Sequence, residues 1–187
     1  MVSTSRRLGR SVAQNQRVLG MAILTNLQVL TPRRSPPKRG DLFVMKLPSE
    51  RYLFGRVILA DVPQARGPMP GANLIYIYNH QSLSIESDPA QLRPGRLLIP
   101  PVWTNSLPWT KGYFQTIDNS ELGDFDVLRQ HCFFRASLSP AAAGKFVDES
   151  GKELKHKSEP CGEWGLASYR WIDDHVSDAL GIQRTPA

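Results

Sequence analysis

Apolar and polar residues alternate with a period of two through most of this chain, and with a helical period only near its end. Residues 42–47 (LFVMKL) and 52–59 (YLFGRVIL) are two apolar runs separated by Pro-Ser-Glu-Arg. That intervening composition favours a turn, so residues 40–62 predict a β-hairpin. Side chains on a strand point alternately to opposite faces. Phe43, Met45 and Leu47 therefore share one face of the first strand. Leu53, Val57 and Leu59 share one face of the second, with Tyr52, Phe54, Arg56 and Ile58 opposite. Gly55 in mid-strand marks a bulge or a close backbone approach. A lone hairpin is marginal in water, so further elements must cover it.

The pattern supplies those covers. Residues 73–78 (NLIYIY) read as a strand covered on both faces and broken at Asn79-His80. Residues 96–99, 111–117 and 130–136 read as three further strands. The loops are 63–71, rich in proline and glycine; 84–94, which is polar; 102–109, an aromatic turn; and 118–126, which is acidic. Residues 139–144 form a small-residue turn, and Ser150-Gly151 centres a tight hairpin over 146–154. Residues 168–180 differ: Tyr169, Ile172, Val176, Ala179 and Leu180 recur at helical spacing, with Ser168 as N-cap and Gly181 as C-cap. This helix is expected to lie across the sheet. The expected fold is α+β and mainly β: a strongly bent antiparallel sheet or partly open barrel of six to eight strands, with one C-terminal helix.

Charge changes the picture only at the N-terminus. The net charge is +6, but eight of the 23 cations and none of the 17 acids lie in residues 1–40, so the rest carries −2. Residues 1–39 read as a basic, disordered leader and a Pro-rich linker (TPRRSPPKR), with Met21 as an alternative start. Residues 40–187 read as a single domain. A nucleic-acid-binding fold is not expected, because the basic character belongs to the leader. There is no apolar run of membrane-spanning length. Cys132 and Cys161 make no disulfide framework in a chain of 187 residues. The expectation is free thiols in a reducing, cytoplasmic setting, with a single bridge as the alternative.

Candidate chemistry is sparse. His80, His131, His156 and His175 show no zinc-ligand spacing, and no metal or cofactor motif is recognisable. His131 and Cys132 are adjacent on a strand and so face opposite ways. Asp173-Asp174-His175 on the helix offers a carboxylate-oriented general base, or else solvated helical charge. The aromatics of the second half, Trp103, Trp109 and Trp164 among them, either line a pocket or fill the core. The acidic loop either steers a basic partner or is simply solvated.

The stretch GDLFVMKLPSERYLFGRVI with NLIYIYNHQS resembles the immunity protein 26 family. The stretches RLLIPPVWTNSLPWTKGYFQTI, QHCFF and EPCGEWGLASYRWIDDHVSDALGI resemble the branch grouped with the small phosphotriesterase HocA. The resemblance spans residues 40–182 and implies one of two functions. The HocA-like branch implies a hydrolase that cleaves organophosphate triesters. Its base would be His131 or His175 with Asp173 or Asp174, its phosphoryl clamp Arg135 or Arg170, and its pocket walls Trp103, Trp109 and Trp164. The immunity branch implies a non-catalytic protein that binds and neutralises a toxin of a bacterial polymorphic toxin system. Phosphotriester hydrolysis is the leading expectation and toxin binding the alternative.

Overall fold

A computed structural model describes residues 24–139 and 141–186. The basic leader over residues 1–23 and the alternative start at Met21 lie outside the described residues. The order of elements is β1 (Asp41–Lys46), β2 (Tyr52–Val62), β3 (Ala72–Ser82), β4 (Val102–Thr104), α1 (Leu107–Thr110), β5 (Gln115–Asn119), β6 (Cys132–Arg135), β7 (Lys145–Val147), β8 (Cys161–Glu163) and α2 (Tyr169–Leu180). Two short 3-10 turns, Pro89–Gln91 and Pro94–Arg96, lie between β3 and β4.

The predicted hairpin is β1–β2, antiparallel from Leu42↔Arg56 to Lys46↔Tyr52. It sits inside a five-stranded antiparallel sheet of order β4-β3-β2-β1-β5, which does not close. β3 runs on through Asn79-His80 to Ser82, because Gln81 and Ser82 pair with Leu53 and Tyr52. Gly55 meets both readings of a mid-strand glycine. The β2–β3 register shifts beside it, and a Cβ there would fall 2.3 Å from the Phe43 ring and 2.7 Å from the Tyr76 carbonyl. A second shift between Val57 and Leu59 turns Leu59 onto the face of Ile58, away from the Leu53 and Val57 face expected for it. The strand expected at 96–99 is instead the end of a 3-10 turn and one bridge between Leu97 and Tyr78.

Each face of this sheet carries its own core. On one face Phe43, Met45, Leu53 and Val57 pack with Trp109, Phe114 and α2, through its Ile172 and Val176. Helix α2 starts at Ser168, whose Oγ accepts from Trp171 N at 3.1 Å, and stops at Gly181 with φ +68°. On the other face Val44, Phe54, Ile58, Tyr76 and Tyr78 pack with Trp103, Phe133 and Val147. This face is covered by a second sheet of order β7-β6-β8. Its parallel β6–β8 pair places Cys132 opposite Cys161, Cα–Cα 4.6 Å, and the two form a disulfide. This corrects the expectation of two free thiols and removes the basis on which a reducing setting was read.

The fold reaches further towards the N-terminus than the boundary expected at Gly40. Leu27 is 3% exposed within the α2-side core. Its N–H and that of Asn26 donate to the two carboxylate oxygens of Asp173, at 2.7 and 3.1 Å. Leu30 N donates to Gly112 O and Arg33 N to Trp109 O. The Pro-rich stretch forms no helix or strand, but it is tied to the fold at Arg33, Lys38 and Arg39.

Candidate functional site

The loop face at one end of the large sheet is built from residues 84–97 and 118–129. The second loop leaves β5, buries Leu122, and turns back at residues 123–126. Asp126 fixes this turn. Its Oδ2 accepts from Gly123 N at 2.9 Å, and its Oδ1 lies 3.6 Å from Arg56 and 3.5 Å from Arg93. Arg56 projects from β2 with 8% exposure and also donates to the carbonyl and hydroxyl of Ser120. Two clefts flank Asp126 and share Arg93. One, about 340 Å³, holds Arg56, Asp118, Ser120 and Glu121. The other, about 780 Å³, is lined by Pro94, Phe125, Val127, Leu128 and Arg129 among others.

A buried polar chain supports this face from below. Leu128 N donates to the Tyr76 hydroxyl at 3.1 Å. The same hydroxyl lies 2.6 Å from His131 Nε2, and His131 Nδ1 donates to the Glu149 carboxylate, whose Oε2 is 3.1 Å away. His131 is 4% exposed. Burial pushes the Tyr76 phenol above its ordinary pKa, which keeps the proton on oxygen. The hydrogen bond from His131 holds the Glu149 carboxyl below its ordinary pKa, against partial desolvation. Glu149 and Ser150 also wall a cavity of about 470 Å³ with Arg39, Arg66, Leu59 and Val62.

The residues assigned to catalysis do not converge. His131 meets Tyr76 and Glu149, not Asp173 or Asp174. On α2, His175 stacks on Trp171, centroids 3.4 Å apart, and its Nδ1 lies 2.8 Å from Trp171 O. Asp173 is fully buried. Burial raises its pKa, while the N–H groups of Leu27 and Asn26 oppose that rise. It is a tether for the N-terminal segment, not a solvated helical charge. Asp174 lies 3.2 Å from Arg170 Nε, one turn away. Arg170 also donates to Leu24 O and to Thr185, joining the two ends of the described chain. Among the expected pocket walls, Trp103 and Trp164 meet edge to face at 6.2 Å, beside a cavity of about 150 Å³. Trp109 lies across the sheet in the other core. Arg135, at the end of β6, is exposed.

Sequence reasoning missed Tyr76, Glu149 and Phe125. Tyr76 stands 55 residues from its histidine and reads as one more apolar strand position. Glu149 sits in a turn whose acids look solvated. Phe125 could have been noticed as the single aromatic inside the acidic loop. Among the described residues no group of three or more His, Cys, Asp or Glu is placed to hold a metal ion. No described helix is long and apolar enough to cross a membrane.

Comparison with known proteins bears on these alternatives. The model of the family "Immunity protein 26" matches residues 38–142. No curated protein and no solved structure matches. The match takes in β1 to β6 and both loops of the loop face, and ends before β7, β8 and α2. The expectation of a phosphotriesterase is corrected by it. The matched family is one of immunity proteins, which points to a non-catalytic protein, and nothing found supports the HocA-like branch. With more than half of its length matched, the chain belongs to the immunity protein 26 family.

Proposed function

We propose that this chain is a non-catalytic immunity protein that neutralises a toxin protein by binding it. The family match over residues 38–142 carries the reading. The organophosphate substrate is replaced by a protein partner, and turnover by occupancy. Two features support it. Of the residues expected to do catalysis, His131, His175 and Asp173 are engaged in buried or intrahelical contacts that hold the fold together. The loop face, by contrast, presents clefts, charge and an exposed aromatic to solvent, as a binding surface does.

The test is co-expression of the full chain with the toxin domain encoded beside its gene. Cells carrying the toxin alone should stop growing, and cells carrying both should grow. Continued arrest with the chain soluble and in molar excess would end the reading.

A further inference from the structure

Phe125 is 83% exposed, the most exposed aromatic ring among the described residues. A phenylalanine left in water forgoes most of the stabilisation that burial gives such a side chain. Its loop does not explain it as slack. Leu122, three residues before it, is buried in the core. Asp126, directly after it, is held by Gly123 N, Arg56 and Arg93. Leu128, three residues after it, is held by the buried Tyr76 hydroxyl, itself bonded to His131. The ring is thus offered to solvent on a turn pinned from both sides, so ordering it on contact costs little entropy.

The loop face with Arg56 carries more acid than base, Glu86, Asp88, Asp118, Glu121, Asp124 and Asp126 against Arg56, Arg93, Arg96 and Arg129, although Arg93 and Arg129 line the cleft of Phe125 itself. Residues 118–129 contain Asp118, Glu121, Asp124 and Asp126 against the single cation Arg129. The charge of Asp126 is met internally by Arg56 and Arg93. Asp118, Glu121 and Asp124 are exposed and make no ion pair with any described residue. An exposed aromatic anchor on a face that also carries three unpaired carboxylates, Asp124 beside it and Asp118 and Glu121 in the adjoining cleft, fits a partner surface with an apolar pocket and lysine or arginine to one side of it. Resting on the toxin-binding reading, we propose that Phe125 is the anchor of the toxin interface. It enters an apolar pocket of the toxin, while Asp118, Glu121 and Asp124 face the basic residues to one side of that pocket. Tyr76 and His131 position the anchor from beneath and touch no toxin atom.

Calorimetric titration of the full chain into the same toxin domain, at low and at physiological salt, tests this. Phe125→Ala should weaken binding by about 30-fold or more, the loss expected of a central anchor. Its melting temperature should hardly change, since the ring is 83% exposed in the free protein. Glu121→Lys with Asp124→Lys should weaken binding by about tenfold and flatten its dependence on salt. Lys157→Ala, away from this face, should bind like the parent. If the parent binds and both loop variants bind equally well, the anchor is elsewhere and the proposal is overturned. It is overturned also if Phe125→Ala abolishes a dimer of the free chain in sedimentation while toxin affinity stays unchanged, since the occupant is then a second copy. Failure of the parent chain to bind at all removes the toxin-binding reading itself, a pattern distinct from the other two.

Discussion

The two faces of the large sheet are closed by different means. One is covered chiefly by a 12-residue helix, whose Ile172 and Val176 join the core that holds Phe43, Met45 and Leu53, with Trp109 and Phe114 packed on the Phe43 ring. The other is covered by three strands of three or four residues each, drawn from positions 132 to 163. Strands this short cannot hold a sheet by their own hydrogen bonds. The small sheet is held by what passes through and beneath it: the Phe133 ring, the Cys132–Cys161 bridge and the Tyr76–His131–Glu149 chain. A helix closes a core with local sequence, whereas short strands need covalent and polar ties between distant residues. The loop face stands on the second kind of support, because the hydroxyl that holds Leu128 belongs to that chain.

The comparison can be tested from the largest expected effect to the smallest. Phe133→Ala should cost about 4 kcal/mol, since its fully buried ring lies 5.8 Å from Trp103 and 6.0 Å from Trp164. Ile172→Ala under the helix should cost about 3 kcal/mol. Hydrogen exchange should separate them: the first variant should lose protection in β6 and β8 before β1 and β2, and the second in α2. Cys161→Ser should cost about 3 kcal/mol, the chain entropy released when a bridge across 29 residues is opened. Denaturation of the parent in thiol reductant should show the same loss, and the variant should be indifferent to reductant.

Asp173→Ala tests the helical face by its polar tie. It leaves two backbone N–H groups without their acceptor and should cost about 2 kcal/mol. The amides of Asn26 and Leu27 should then exchange freely. The smallest effect concerns acid. Glu149 has a folded pKa below its ordinary value of 4.5, so the stability it contributes is present above that value and is lost as pH falls through the lowered one. Glu149→Gln should flatten that limb of the pH–stability curve. The change should be under about 1 kcal/mol, because the carboxylate is partly exposed.

The same division governs how far the fold was legible in the sequence. The β1–β2 hairpin, β3 and α2 were readable because their signals are local: alternation, a turn composition, caps at Ser168 and Gly181. β8 was not. Cys161-Gly162-Glu163 has no alternation to read and becomes a strand only because β6 lies beside it. The disulfide could stand only as the alternative to free thiols for the same reason, since it depends on a parallel register between segments 29 residues apart. Asp173 looked solvated because its partners, Asn26 and Leu27, come from a stretch that reads as leader. His131 looked like half of a catalytic pair because its partners lie 55 and 18 residues away. The acidic loop was visible, but its rigidity was not: that rests on Arg56, Arg93 and Tyr76, all distant in sequence.

The central claim is that this chain acts by occupancy and not by turnover. The measurement that addresses it most directly is a titration of toxin activity against increasing amounts of the chain, with toxin held well above the dissociation constant. The account predicts that activity falls in a straight line and vanishes near a fixed molar equivalence, with full activity recovered when the complex is dissociated. Inactivation of many toxin molecules by each molecule of the chain, or undiminished toxin activity in the presence of excess chain, would contradict it.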